Sequence, residues 1–365
     1  MADPRPARIE CPYRRPAVDR ADDVAVCGIL QDLTRVEETG LCHVQQDACQ
    51  SCCRWFRPNL QHINPVVASL LYNVTAEILA RGGVPGCPRT EAVRLHELAT
   101  QNIPADDDCI SVVDAVSDQA NLDAPDLEQI IPRPRVRSGR RVTEWSVGVT
   151  TAPREQATLE ACLASLNAAG WPEPRLFIDG ATSIPDRFSH LPQTRRTPQI
   201  GAWPSYYLAL LEMYLRSPRA EAYMLVQDDV VFFRHPALRS YLESILWPGD
   251  VPGLVSMFCS SAYTQANAGW HKLDEALIWG GQAIIFSRDA VVAFLSDPQV
   301  VDHRASPGNQ GLANIDWLIG VWASRRGLPV YLPTPSLAQH IGHVSALWPN
   351  VRAFGNRRAN RFAGG

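Results

Sequence analysis

Apolar residues recur along the chain in two rhythms that set its first third apart from the rest. Between Asn64 and Gly83 the apolar positions Val66, Leu70, Leu71, Val74 and Ile78 keep helical spacing. Asn64 stands at the N-cap, Pro65 at the first helical position and Gly82-Gly83 at the stop, so the segment predicts an amphipathic helix. A second amphipathic piece runs from Thr90 to Ala99. Polar sequence follows, with Asp106-Asp107-Asp108 and the Pro/Arg-rich stretch Pro132 to Arg141, and it predicts a linker.

From Glu144 onward, short β-branched or apolar runs alternate with stretches of helical period. Strands are predicted at Trp145 to Thr150, Arg175 to Ile178, Tyr223 to Val226, Leu254 to Phe258, Ala283 to Phe286 and Val330 to Leu332. Helices are predicted at Thr158 to Ala169, closed by Gly170, and at Pro204 to Arg216, Pro236 to Leu246, Asp289 to Leu295 and Ile315 to Arg325. Such alternation predicts an α/β fold with a central sheet flanked by helices. Two of the strands run into acids: one ends in Asp179-Gly180, the other in Gln227-Asp228-Asp229. Polar groups at the carboxyl ends of strands are where α/β folds place their sites. There is no internal repeat.

Length and composition then bound the domain count. With 365 residues, 46% of them hydrophobic, the chain can bury one large core or two smaller ones, and two domains are expected. The expected division is a Cys-rich module over 1–60, a helical segment over 61–130, a linker over 131–143 and the α/β domain over 144–365. Set against 38 acidic residues, 34 basic ones leave a net charge of -4, so no whole-chain field draws it to nucleic acid or anionic membranes. Met1 to Glu10 lacks an apolar core, and no stretch approaches the roughly 18 apolar residues of a membrane span. The expectation is a cytoplasmic protein with no membrane span and no nucleic-acid partner.

Eight of the ten cysteines lie in the first third of the chain: Cys11, Cys27, Cys42, Cys49, Cys52, Cys53, Cys87 and Cys109. A reducing compartment favours metal ligation over disulfides. Cys27, Cys42, Cys49 and Cys52 supply a two-residue knuckle and enough thiolates for a structural Zn²⁺ site. A second knuckle at the usual spacing is missing, so reduced buried thiols, disulfides and an iron-sulfur cluster stay open beside zinc.

The sharpest chemical feature is Tyr-Met-Leu-Val-Gln-Asp-Asp-Val-Val-Phe, an apolar strand that stops on two adjacent carboxylates and resumes apolar. Like charges crowded at the edge of a low-dielectric core raise one pKa or call for a cation, and hard divalent ions take oxygen ligands and bridge phosphates. An Asp-Asp turn capping the next element is the other reading.

Leu-Val-Gln-Asp-Asp resembles the acidic metal motif of GT-A glycosyltransferases, with Gln227 standing where the first acid is usual. The resemblance implies a Rossmann-like mixed central sheet flanked by helices; it says nothing of the small, partly helical Cys-rich domain expected before it. It implies Mn²⁺ or Mg²⁺ held by Asp229, with Asp228 beside the ribose or metal. Val147 to Arg154 resembles the first strand and base-holding loop, which makes Thr150, Thr151 and Arg154 donor-site candidates, and Asp179 matches the second-strand acid. Arg195, Arg196 and Gln199 to Trp203 are weaker candidates. Trp279-Gly280-Gly281 resembles the loop that seats donor sugar and acceptor, which implicates Gly280 and Gly281, with Trp279 available to stack on a sugar. Asp316, opening a predicted helix, stands where inverting members carry the catalytic base. Pro335 to His343 resembles a segment of the N-acetylglucosaminyltransferases that branch N-glycans. A C-terminal His completes the metal shell in many GT-A enzymes, so His340 becomes a ligand candidate and His343 its reserve.

The implied activity is hexosyl transfer from a nucleotide-sugar donor to a glycan or other hydroxyl acceptor, with inversion if Asp316 is the base. The alternative is a non-catalytic binding module with a degenerate site, for which Gln227 is the best support. The basic residues Arg352, Arg357, Arg358 and Arg361 stand where a tail could reach a diphosphate or simply fray into solvent.

Overall fold

The computed structural model describes residues 14–16, 25–27, 41–42, 75, 79, 82–84, 87–102, 125–134, 141–249, 251–273, 278, 280–305, 315–342 and 357–364. The chain divides into two compact units, Met1–Ala105 and Asp106–Gly365.

In the first unit, Arg14–Pro16, Ala25–Cys27 and Leu41–Cys42 form a three-stranded antiparallel sheet in which Cys27 pairs with Arg14 and Cys42 with Ala25. Thr75 and Leu79 are helical, and the Gly82 N–H donates to the Leu79 carbonyl, where the glycine pair was expected to stop the helix. The second amphipathic piece is a helix over Arg89–Asn102 that buries Ala92, Leu95 and Ala99 at the spacing of one helical face.

The second unit is built on an eight-stranded mixed sheet. Its elements in chain order are β1 (Trp145–Thr151), α1 (Leu159–Ala168), β2 (Arg175–Asp179), β3 (Gln193–Arg196), α2 (Ala202–Arg216), β4 (Ala222–Gln227), β5 (Val230–Phe232) and α3 (Leu238–Ile245). After them come β6 (Leu254–Ser256), β7 (Gly269–Lys272), β8 (Ala283–Ser287), α4 (Arg288–Leu295), α5 (Pro298–Asp302), α6 (Ile315–Arg325), β9 (Val330–Thr334) and β10 (Ala338–His340). Across the sheet the order is β7-β9-β6-β8-β4-β1-β2-β3. The half β4-β1-β2-β3 is parallel. In the other half β8 runs antiparallel to both β4 and β6, β9 parallel to β6, and β7 antiparallel to β9.

Alternation along the central strands feeds two cores. Met224 and Val226 of β4 join Val149, Ile178 and Ile285 under α1 and α3, whereas Tyr223 and Leu225 join Phe177, Ile284 and Phe286 under α2, α4 and α6. Both faces are covered, which is why β4 reads as an unbroken apolar run. Trp322 of α6 is 1% exposed and packs edge-on against Phe294, ring centroids 4.9 Å apart. Its truncation to Ala would cost about 3–5 kcal/mol.

Four of the strands described in the second unit were not expected, nor were those of the first unit. β3 and β7 close the two edges of the sheet, where a strand needs no apolar run. β5 and β10 pair only with each other, antiparallel, with Val230 opposite His340 and Phe232 opposite Ala338. No helix among the described residues is long and apolar enough to cross a membrane.

Candidate functional site

The parallel half of the sheet places the site. From β1 the chain reaches β2 through α1 on one face of the sheet, and from β3 it reaches β4 through α2 on the other. The order therefore reverses between β1 and β4, and the carboxyl ends on either side of such a reversal are where open α/β sheets place their ligands. Thr150 and Thr151 end β1, Gln227 ends β4, and Asp228-Asp229 form the turn between β4 and β5.

Asp228 and Asp229 are both buried, at 2% and 8% exposure. The Arg154 guanidinium, carried by the loop after β1, bridges them: one nitrogen donates to Asp228 Oδ1 and the other to Asp229 Oδ2 at 3.1 Å. Thr151 Oγ1 donates to Asp228 Oδ2 at 2.6 Å. The two acids titrate in opposite directions. Burial, reinforced by the charge of Asp229, pushes the Asp228 carboxyl up despite Arg154. Burial also works against Asp229, but His340 and Arg154 outweigh it and hold that carboxyl well below the usual range.

His340 reaches the turn through the pairing of β5 with β10, and the Ile341 N–H donates to the Asp229 carbonyl at 2.8 Å. Its Nδ1 lies 2.9 Å from the Arg357 carbonyl oxygen, which can only accept, so Nδ1 carries a proton. Nε2 then faces Asp229 Oδ2 at 3.2 Å. Nε2 and Asp229 Oδ2 thus converge on one point, where a cation can be shared between them. Asp229 Oδ1 is buried with no hydrogen-bond partner. Beside them, a Cβ on Gly342 would come within 3.0 Å of both Asp229 Oδ2 and His340 Nε2. One imidazole nitrogen and one carboxylate fit a divalent ion such as Mn²⁺. No group of three or more His, Cys, Asp or Glu side chains among the described residues is arranged to hold a metal, so other ligands would have to come from outside this pair.

A second cluster lies alongside. Gly280, at φ +95°, turns the chain so that its N–H donates to Asp316 Oδ2 at 3.2 Å, while the Trp317 N–H donates to Asp316 Oδ1 at 3.0 Å. Gly281 lies against the backbone and Cβ of Asp316. Gln227 ties the clusters together: its N–H donates to the Gln282 carbonyl and its Nε2 to the Gly281 carbonyl at 3.3 Å. That second bond needs a donor, which an acid at this position could not supply. The Arg357 guanidinium feels the charges of both clusters. Burial lowers its pKa, and the charges of Asp316 and Asp229 oppose that.

Other candidates have local duties. Asp179 accepts from the Ile200 and Gly201 N–H groups, at 2.8 and 2.9 Å, and so holds the chain entering α2. Thr150 Oγ1 donates to the Val226 carbonyl, and Arg195 donates to the Gly180 and Thr182 carbonyls. Cys49, Cys52, Trp279, His343 and Arg352 lie outside the described residues, as do the side chains of Cys27 and Cys42. The frayed tail is corrected over 357–364: the Ser336 N–H donates to the Arg361 carbonyl, the Ala363 N–H donates to the Ser336 carbonyl, and Gln339 bonds both backbone groups of Ala359. Sequence reasoning also missed Cys162, whose thiol lies 3.7 Å from the Gln227 carbonyl beneath the acidic turn. Burial pushes this thiol well above its usual pKa. Nothing in an isolated helical cysteine signals that position.

No family model matches the chain, and no curated protein does. Among solved structures it is similar to the crystal structure of GalNAc-T7 with UDP, GalNAc and Mn2+, at a TM-score of 0.35 and 10% identity. That match covers 55% of this chain and 44% of the other, so the chain spans under half of the structure it resembles.

Proposed function

We propose that the second unit transfers a sugar from a nucleoside-diphosphate donor to a hydroxyl acceptor. The observation that carries this reading is the pairing of Asp229 with His340 at the strand switch, where a buried carboxylate oxygen lacks a partner and an imidazole nitrogen faces the other oxygen. Asp229 and His340 would hold a divalent ion, whose charge offsets that of the diphosphate as it leaves.

Thr151 and Arg154 set the height and charge of the acidic turn, and Arg154 together with Arg357 gives the site two cationic groups for phosphate oxygens. Asp316, oriented by two backbone N–H groups, serves as general base. The acceptor oxygen bonds to the anomeric carbon as the bond from that carbon to the phosphate oxygen breaks. Its proton passes to the Asp316 carboxylate, and the nucleoside diphosphate departs with the electron pair. Attack opposite the leaving group inverts the anomeric centre.

The double ion pair of Arg154 favours one rival, a non-catalytic module in which the guanidinium already neutralises both acids. Isothermal titration with nucleoside diphosphates and nucleotide sugars, with Mn²⁺ and with chelator, separates the two. Mn²⁺-dependent binding of one nucleoside diphosphate is expected, and no binding to any member by the folded protein would remove the transferase reading.

A further inference from the structure

Gln227 ends β4 between two neighbours that fix its backbone. On one side it stands in register with Thr150 of β1. On the other its N–H donates to the Gln282 carbonyl at 2.7 Å, one step beyond Val226 and Ala283, the last residues paired between β4 and β8. The half-buried side chain turns to the same neighbouring segment, where Nε2 donates to the Gly281 carbonyl at 3.3 Å. This bond carries the strand pairing back as far as the turn at Gly280, whose φ is +95°.

That turn is the one that orients Asp316. The Gly280 N–H donates to Asp316 Oδ2 at 3.2 Å, and a Cβ added to Gly281 would lie 3.4 Å from both the backbone nitrogen and the Cβ of Asp316, so the turn packs directly on the start of α6. A Cβ on Gly280 would collide with Gln282 Oε1 and the buried Phe258 ring, which closes the turn on that side. The acidic turn is held by other groups: Asp228 by Thr151 and Arg154, Asp229 by Arg154 and His340. Loss of the Gln227 amide therefore leaves the contacts of both acids standing and releases the turn on which Asp316 depends.

We infer that Gln227 is a positioning residue for Asp316: its amide fixes the Gly280-Gly281 turn, and the turn fixes the carboxylate that takes the acceptor proton. The inference rests on the proposed transfer, in which Asp316 is the base. It gives the departure from the usual acid a purpose, against its reading as the mark of a degenerate site. An ionised carboxylate at 227 has no proton to donate to the Gly281 carbonyl, and it would add a third negative charge beside Asp228 and Asp229.

Transfer kinetics, nucleotide titration and hydrogen exchange at the Gly280 amide on the full chain test this in Gln227→Met, Gln227→Glu, Asp316→Asn and the double variant Gln227→Met/Asp316→Asn, with circular dichroism to check folding. Gln227→Met is expected to lose roughly tenfold or more in kcat and to exchange the Gly280 amide faster by a similar factor, the scale of one lost hydrogen bond. Its affinity for nucleoside diphosphate with Mn²⁺ should stay within about threefold of normal. Gln227→Glu is expected to lose roughly tenfold or more in kcat although it restores the acid. In the Asp316→Asn background Gln227→Met should cost less than about threefold more, because residues that act through one carboxylate are not additive. Losses that multiply in the double variant overturn the inference, as does full kcat in either single variant or an unchanged exchange rate at Gly280. If no nucleotide binds and no transfer is found, the proposed reaction fails and the exchange rate decides by itself. An unchanged rate then removes the hold of Gln227 on the turn, and a faster one keeps it.

Discussion

His340 Nε2 lies 3.2 Å from Asp229 Oδ2, while the Nδ1 of the same ring donates to the Arg357 carbonyl. The backbone of the C-terminal segment thus sets which imidazole nitrogen the acidic turn sees. Asp229→Asn keeps the size of the side chain and removes its charge, so Mn²⁺-dependent nucleoside-diphosphate binding is expected to fall below detection. His340→Gln leaves the carboxylate in place and should weaken the same binding about 10- to 100-fold, the range for a lost metal-site contact. Titration calorimetry on both variants checks this. Unchanged affinity in both would show that the pair holds no metal.

Gly342 gives a steric version of the same question. A Cβ there would sit 3.0 Å from both Asp229 Oδ2 and His340 Nε2, in the space that a bridging ion would share. Gly342→Ala is therefore expected to fold, with the melting temperature lowered by only a few degrees, and to lose at least tenfold in Mn²⁺ affinity. Paramagnetic resonance of free and bound Mn²⁺ measures the loss directly. Full Mn²⁺ affinity in the Ala variant would place the ion elsewhere.

How much of this was legible in the sequence follows from what each element needs locally. β4 is buried on both faces and stops on two acids, so an apolar run ending in Gln227-Asp228-Asp229 carries its own signal. α6 is legible at its full bounds because Ile315, Leu318, Ile319, Trp322 and Ala323 keep helical spacing. Ala338-Gln339-His340 has no such pattern: it becomes a strand only because Val230–Phe232 presents a matching edge, and that pairing joins residues more than 100 apart, such as Val230 and His340. Arg357 is hidden for the same reason. Its approach to Asp229 and Asp316 depends on the 357–364 segment docking along Ser336 and Gln339, which are long-range hydrogen bonds that no local period announces.

Asp316 separates chemistry from binding. Its carboxylate is oriented by the Gly280 and Trp317 N–H groups, and Asn in its place can keep one acceptor oxygen for them while losing the basicity. Asp316→Asn is expected to bind nucleoside diphosphate within about threefold of normal and to lose roughly 10²- to 10⁴-fold in kcat, the usual contribution of a general base. Transfer rates and nucleotide titrations on the same preparation give both quantities. Undiminished kcat would move the base to another residue.

Asp297 caps α5 and takes Arg325 and Arg326 from the end of α6, a junction that pH tests. Burial works against its charge, but Arg325, Arg326 and the Gln299 N–H outweigh that and hold its carboxyl below the usual value. A carboxyl depressed in the folded state stabilises the protein above its unfolded pKa, about 3.9, and this contribution is lost as pH falls through the folded value. Asp297→Asn keeps an acceptor for the Gln299 N–H and removes the charge. It should cost about 1–2 kcal/mol at pH 7, an amount typical of charge-assisted hydrogen bonds whose cationic partners stay partly solvated. Urea unfolding at pH 7, 5 and 3 is expected to show the gap between variant and unsubstituted protein intact at pH 7 and 5 and narrowed at pH 3. A gap that stays constant across this range would mean that the arginines contribute nothing through charge and that Asp297 acts by packing and helix capping alone.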